Sequence, residues 1–214
     1  MTINLEILDS AYVYASKEIE DLNTKELVPK MVIRRRLTRA AKIAIYLANK
    51  VSFTNGRIIY GSSFGELSAT ANILNAISAK EHSSPTHFQN SVYNTAVSYL
   101  SMLSDNTNEI MTISSGDHTS LNILKAGAIK ALDGDTLLLL GTETLNIDKI
   151  EEVNKCIDLL ECGVALKVRM TKEEATLCFD AENDEIKTPA SLSHMFNIAR
   201  NIHTNKPNII KVTL

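Results

Sequence analysis

Gly61-Ser62-Ser63-Phe64-Gly65 satisfies the pattern G-x-S-x-G, in which a serine on a sharp turn between a strand and a helix presents its hydroxyl as a nucleophile. Ser63 would then attack, with Asp180 or Asp184 as the acid and His194 or His203 as the base, in the chain order such hydrolases require. A plain turn whose glycines let the chain leave a strand and enter a helix has the same composition. No glycine-rich oxyanion segment stands upstream of it. A second turn, Ser115-Gly116-Asp117-His118, occupies the same kind of position. Asp117 suits a helix cap there, because its carboxylate can accept from first-turn amides and complement the helix dipole. His118 invites acid–base chemistry, but residues adjacent in sequence rarely point at one another. His82 and His87 have no carboxylate or thiol nearby, so they read as loop histidines rather than ligands. Cys156, Cys162 and Cys178 are odd in number and show no CxxC spacing, which indicates buried or idle thiols rather than zinc or a disulfide framework.

The elements that must hold these turns can be read from hydrophobic period. Ile110 to Ser114 alternates and Leu137 to Leu140 is continuously apolar, which suits a half-buried and a fully buried strand. Between them Leu121, Leu124, Ala128 and Leu132 recur at helical spacing, completing a βαβ unit. Ligands of such units bind outside the carboxyl ends of the strands and at helix N-termini, which directs attention to residues 115–118. Earlier in the chain, Ile3 to Ala15 alternates weakly as an opening strand, and Asp21 to Lys30 reads as loop. A helix with Leu37, Ala40, Ala41, Ala44, Leu47, Ala48 and Val51 on its apolar face follows, then a strand at Arg57 to Tyr60 and a helix from Leu67 to Ala79. Later expectations are a helix over Asp148 to Leu160, strands at Ala165 to Met170 and Thr176 to Phe179, a helix from Ser191 to Ile202, and a final strand at Ile209 to Leu214.

With 214 residues, 44% of them hydrophobic, the chain can bury one good core, and a single domain over 1–214 is expected. A net charge of −3 argues against a general nucleic-acid binder. No apolar run approaches a membrane span, and MTINLEILDS lacks the features of a secretory signal, so a cytoplasmic location is expected. Lys30, Arg34, Arg35, Arg36, Arg39 and Lys42 gather positive charge at the start of the first long helix. They could steer an acidic partner, or they could be a solvated face whose charges are held by local carboxylates.

The segment SPTHFQNSVYNTAVSYLSML, from Ser84 to Leu103, resembles a stretch of the β-ketoacyl synthases in Ser84, Pro85, Phe88, Ser91 and Asn94. The strand, turn and helix from Glu109 onward resemble the nucleophile strand and elbow of the same enzymes, and the RRRL[ST]R string and the Ser-x-x-Gly-Glu turn also recur there. The chain is similar to half-length β-ketoacyl synthase-like N-terminal-domain proteins, chain-length-factor-like subunits of aryl-polyene-type pathways, over roughly Leu37 to Phe179. The resemblance implies an α/β, thiolase-like half: a mixed, mostly parallel five-stranded sheet with helices on both faces. It places Gly116 or Asp117 where the family has its cysteine, and it leaves out the second-half histidines, so no catalytic residue, cofactor or metal is implied. It implies pairing with a full-length ketosynthase through Ser84, Pro85, Thr86, Phe88, Ile110, Thr112 and Ser114. An acyl carrier protein would meet Arg34, Arg35, Arg36 and Arg39. Three readings stand at this point: accessory subunit, hydrolase, and small-molecule-binding α/β domain.

Overall fold

The computed structural model describes residues 1–145, 147, 161–176, 189–202 and 208–214. Its elements are β1 (Thr2–Ala15), α1 (Thr24–Leu27), α2 (Met31–Arg34), α3 (Arg39–Lys50), β2 (Arg57–Gly61), α4 (Leu67–Ala79), α5 (Pro85–Asn90), α6 (Thr95–Leu103), β3 (Ile110–Ile113), α7 (Thr119–Ala131), β4 (Leu137–Thr144), β5 (Glu161–Thr171), α8 (Ser193–Ile202) and β6 (Ile209–Thr213). The strands form one sheet in the order β3-β2-β4-β5-β1-β6.

This is the expected α/β class with two corrections: among the described residues the sheet has six strands rather than five, and it is not mostly parallel. Among the described residues only β2–β3 and β2–β4 pair parallel. The β4–β5, β1–β5 and β1–β6 pairs are antiparallel. Parallel pairing is confined to the strands linked by helical crossovers, the kind of connection it requires. The expected βαβ unit, β3-α7-β4, is present with β2 inserted between its two strands.

β1 alternates weakly because its register with β5 shifts between Ile7 and Asp9. Ile3, Leu5 and Ile7 face one core, and after the bulge Tyr12 returns to that face while Ala11 and Val13 turn to the other. An inserted residue of this kind reverses the inside–outside parity downstream.

Helices cover both faces. On one, α3 and α6 pack over Leu138 and Leu140 with Ile58 and Tyr60. On the other, α7 and α8 cover Leu137, Leu139 and Val164. β4 is buried along its whole length, as a strand covered on both faces must be. α7 reaches the sheet because Gly61 offers no side chain: a Cβ there would lie 2.6 Å from Ile123 Cδ1 and 2.8 Å from Thr119 Cγ2.

The stretch read as a loop at Asp21 to Lys30 contains the single turn α1, held by the buried side chains of Leu22 and Val28 on either side of it. The helix from Ser191 begins with a 3-10 turn at Ala190–Leu192 before α8. The helix expected over 148–160 and the strand residues 177–179 lie outside the described residues.

Candidate functional site

Because β2, β3 and β4 run parallel, their carboxyl ends share one end of the sheet. There the turn after β2, the turn after β3 and the end of β4 come together, the place where open α/β sheets put their sites. The centre of this end is Glu143, a carboxylate only 1% exposed near the carboxyl end of β4. It accepts from the Ser63 amide at 2.6 Å and the Phe64 amide at 3.1 Å, and from the hydroxyls of Ser62 and Ser191, both at 2.8 Å. Burial pushes its pKa up, and these four donors work against that rise. Ser62 Oγ in turn accepts from the Gly65 amide at 2.8 Å. One buried carboxylate thus fastens the turn after β2, the end of β4 and the 3-10 turn before α8.

This geometry weighs against the hydrolase reading of GSSFG, as far as the described residues go. The amides of Ser63 and Phe64 already donate to the Glu143 carboxyl group, so they are not available to stabilise a developing oxyanion. His194 Nδ1 meets the Ser120 hydroxyl at 3.4 Å rather than Ser63. Burial lowers its pKa, as does the neighbouring charge of His118. Asp180, Asp184 and His203 lie outside the described residues. The GSSFG glycines serve the turn itself: Gly65 has φ +60, and the ring of Tyr93 lies against it.

The turn after β3 is a 3-10 turn at Gly116–His118, with Gly116 at φ +55 in the left-handed region. Asp117 does not cap α7, contrary to the sequence expectation. The turn leaves Asp117 exposed and out of reach of the first-turn amides, and no side-chain cap bond forms at the start of α7. The turn is closed instead by Thr119, whose hydroxyl donates to the Gly116 carbonyl at 2.7 Å and accepts from the Ser115 amide at 3.1 Å.

β3 is an edge strand: among the described residues its only neighbour is β2. The Glu109 carbonyl accepts from Ile58 N and the Ile113 carbonyl from Ser62 N, so residues 109, 111 and 113 point their backbone groups inward. Ile110 and Thr112 therefore aim their amides and carbonyls at the open edge, and Ser114 follows in the same phase, exposed. Pro85 to Phe88 lies in α5, with Ser84 at its N-cap in extended backbone. Pro85 starts α5, α5 packs on α4, and the Phe88 ring is 71% exposed.

The basic cluster divides. Arg39 is turned inward: its Nε and Nη2 donate to the two oxygens of the fully buried Glu161, each at 2.6 Å, and Nη1 meets Glu18 at 2.9 Å. Arg34 Nη1 donates to the Val28 carbonyl at 2.9 Å. Arg35 and Arg36 are exposed. A four-residue basic patch is thereby corrected to two outward-facing arginines, since buried or unpaired carbonyl and carboxylate oxygens attract the other two.

Sequence reasoning missed Glu143, Glu161 and Glu66. Glu66 is 6% exposed, accepts from Thr38 Oγ1 at 2.6 Å, and burial pushes its pKa up to about 7. The signal for Glu143 and Glu161 was present, because each carboxylate borders a continuously apolar strand where a charge needs several donors. Cys162 is buried, and burial pushes its thiol well above its ordinary pKa. Among the described residues no group of three potential metal ligands gathers, and no helix is long and apolar enough to cross a membrane.

The family model of the β-ketoacyl synthase N-terminal domain matches residues 11–212, well beyond the stretch on which the sequence resemblance rests. No curated protein is significantly similar to the chain in sequence. Among solved structures it is similar to the ketosynthase (ApeO) in complex with its chain length factor (ApeC) from Xenorhabdus doucetiae. That match has a TM-score of 0.69 and 19% identity, and covers 91% of each chain. It is also similar to the ishigamide ketosynthase/chain length factor, at TM-score 0.63 and 11% identity, covering 81% of this chain and 63% of that one. A third likeness is to AntDE:AntF, a type II PKS acyl-carrier protein in complex with its ketosynthase, at TM-score 0.60 and 11% identity, covering 80% of this chain and 64% of the other.

Proposed function

The chain belongs to the β-ketoacyl synthase family by its N-terminal domain, and from that premise we propose that it is a non-catalytic, chain-length-factor-like subunit. It pairs with a full-length β-ketoacyl carrier-protein synthase in polyene, polyketide or fatty-acid-type chain elongation, working in the cytoplasm as one half-length domain. The observation that carries this reading is the open edge of β3, where Ile110, Thr112 and Ser114 present backbone groups unpaired among the described residues, beside the turn that begins at Gly116. An exposed edge of this kind is a liability unless a partner strand covers it. The match to a complex of ketosynthase and chain length factor over 91% of both chains supports the same reading.

The turn itself supports a non-catalytic role. Neither Gly116 nor Asp117 can carry an acyl thioester, whichever of them stands in the nucleophile position. The carrier protein of the pathway meets the complex at Arg35 and Arg36, the two arginines that remain outward. Thr86 and Phe88 reach toward the partner and limit the length of chain that it builds.

Co-expression with the full-length ketosynthase encoded nearest to this chain tests the proposal. The two should co-purify, and Ile110→Pro should abolish pairing while sparing the fold, because it removes a donor that points away from β2. Phe88→Ala should lengthen or broaden the product distribution of the complex. Intact-mass spectra after incubation with acyl carrier protein should show no acyl adduct on this chain. A ketosynthase that is equally soluble and active alone, beside a monomeric chain that never binds it, would overturn the reading.

A further inference from the structure

The loop before β2 holds the one Asn-Gly pair in the chain, Asn55-Gly56. Asn55 is exposed. An asparagine followed by glycine is prone to lose its side-chain amide, because the glycine nitrogen can attack the side-chain carbonyl with no Cβ in its way. Whether a fold helps that attack depends on where it holds the two groups.

Here the fold brings them together. Gly56 N donates to Asn55 Oδ1 at 2.9 Å, so the carboxamide is folded back over the very peptide nitrogen that would attack it. Holding reacting groups in near-contact removes much of the entropic cost of closing a ring. Gly56 is itself fixed: its carbonyl accepts from the Nδ2 of the buried Asn106 at 2.7 Å, and its amide also lies 3.4 Å from Asn106 Oδ1. A Cβ at position 56 would lie 3.3 Å from the Phe53 ring and from the Thr136 carbonyl, at a φ of +138, so glycine is required there.

A third residue meets the carbonyl under attack. Asn108 Nδ2 donates to Asn55 Oδ1 at 2.8 Å, which places a donor on the atom where negative charge develops. Asn108 is held in turn by Asn106 Oδ1, which accepts from its amide at 3.1 Å and from its Nδ2 at 3.0 Å.

We propose that Asn55 is a self-modifying site: the folded chain converts it to aspartate and isoaspartate through a cyclic imide, with Asn108 stabilising the intermediate. Hydroxide takes the Gly56 amide proton, and the nitrogen bonds to Asn55 Cγ. The electron pair of the carbonyl moves to Oδ1, where Asn108 donates to it. Its return expels the side-chain nitrogen, which takes its last proton from water, regenerates hydroxide and leaves as ammonia. Water then opens the imide at either carbonyl, giving aspartate or, with the main chain rerouted through the side chain, isoaspartate just ahead of β2. The aspartate carboxylate keeps both donors, Gly56 N and Asn108 Nδ2, in stronger charge-assisted bonds. The aspartate form therefore stays folded and gains one negative charge. The site precedes β2 and β3, away from the turns at their carboxyl ends, and its chemistry is independent of the accessory-subunit reading.

The test is to incubate the whole folded chain in mildly alkaline buffer made with heavy-oxygen water. Trypsin then releases residues 51–57, whose asparagine, aspartate and isoaspartate forms are separated and weighed. Heavy oxygen should enter at residue 55. Asn108→Ala should slow its entry about 2- to 10-fold, the worth of one hydrogen bond, while parent and variant convert at the same rate in urea. Asn108 is exposed, so the variant should keep the circular dichroism of the parent. Asn108→Asp, near-isosteric but without the side-chain donor, should slow the reaction at least as much. A folded chain that keeps Asn55 intact while the urea-unfolded chain converts would overturn the proposal. Conversion at the parent rate in both Asn108 variants would overturn it equally.

Discussion

Glu66 and Glu143 are both withdrawn from water, and they differ in what replaces it. Glu143 has four donors, whereas Glu66 has the hydroxyl of Thr38. Burial raises the Glu66 pKa from 4.5 to about 7. Below about pH 4.5 the folded and unfolded states both hold the proton, and its stabilising contribution is fully present. As pH rises toward about 7 the unfolded chain releases the proton and the folded one resists, so that contribution is lost. Burial shifts Glu143 in the same direction. Urea unfolding at pH 5 and pH 7.5 should show the decline, and Glu66→Gln should remove a part of it on the order of 2–3 kcal/mol. A second contrast separates the arginines: Arg39→Ala strands the buried Glu161 and should cost about 3–5 kcal/mol, whereas Arg36→Ala should stay within about 0.5 kcal/mol. At this scale the sequence displayed the chemistry-bearing residues but not their partners. Ser63 looked like a nucleophile because a motif records spacing. Glu143, 80 residues away from Ser63, settled its surroundings.

Among the elements, α4 and β2 lie within a residue of their expected bounds. The apolar stripe of α3 likewise marked a real buried face. β1 was harder to read because a single bulge moves its buried residues from odd to even positions, and period-two reasoning assumes that parity holds. The mostly parallel expectation failed because strand direction is decided by connections and neighbours. β1 and β5 pair over eleven positions although nothing local in either records the other. The fit of α7 against β2 depends on the missing side chain at Gly61. Gly61→Ala would press a methyl against Ile123 and Thr119 and bring it to 3.0 Å from the Ile113 carbonyl. That overpacking should lower stability by about 1–3 kcal/mol in denaturant unfolding, with a larger fraction of the loss restored when Ile123 is shortened to Val than when a distant core residue is changed.

For the molecule as a whole, the family and the class of fold were legible because the stretch from Ser84 to the turn after β3 carries several weak signals in a fixed order. The covered and uncovered surfaces were not, since exposure depends on which helices return to the sheet. The strand order bears on how the chain is made as well as on what it binds. β1 comes first in the chain, yet its two partners are β5 and β6, and Ala15 meets Glu161 only after roughly 150 further residues have been added. At ordinary rates of synthesis the first strand waits on the order of ten seconds on the ribosome with neither edge satisfied. Nascent chains stalled before Glu161 should therefore be cut by protease within residues 2–15, while chains released after Thr213 resist, and a chaperone that shelters extended apolar segments should be retained until β5 emerges.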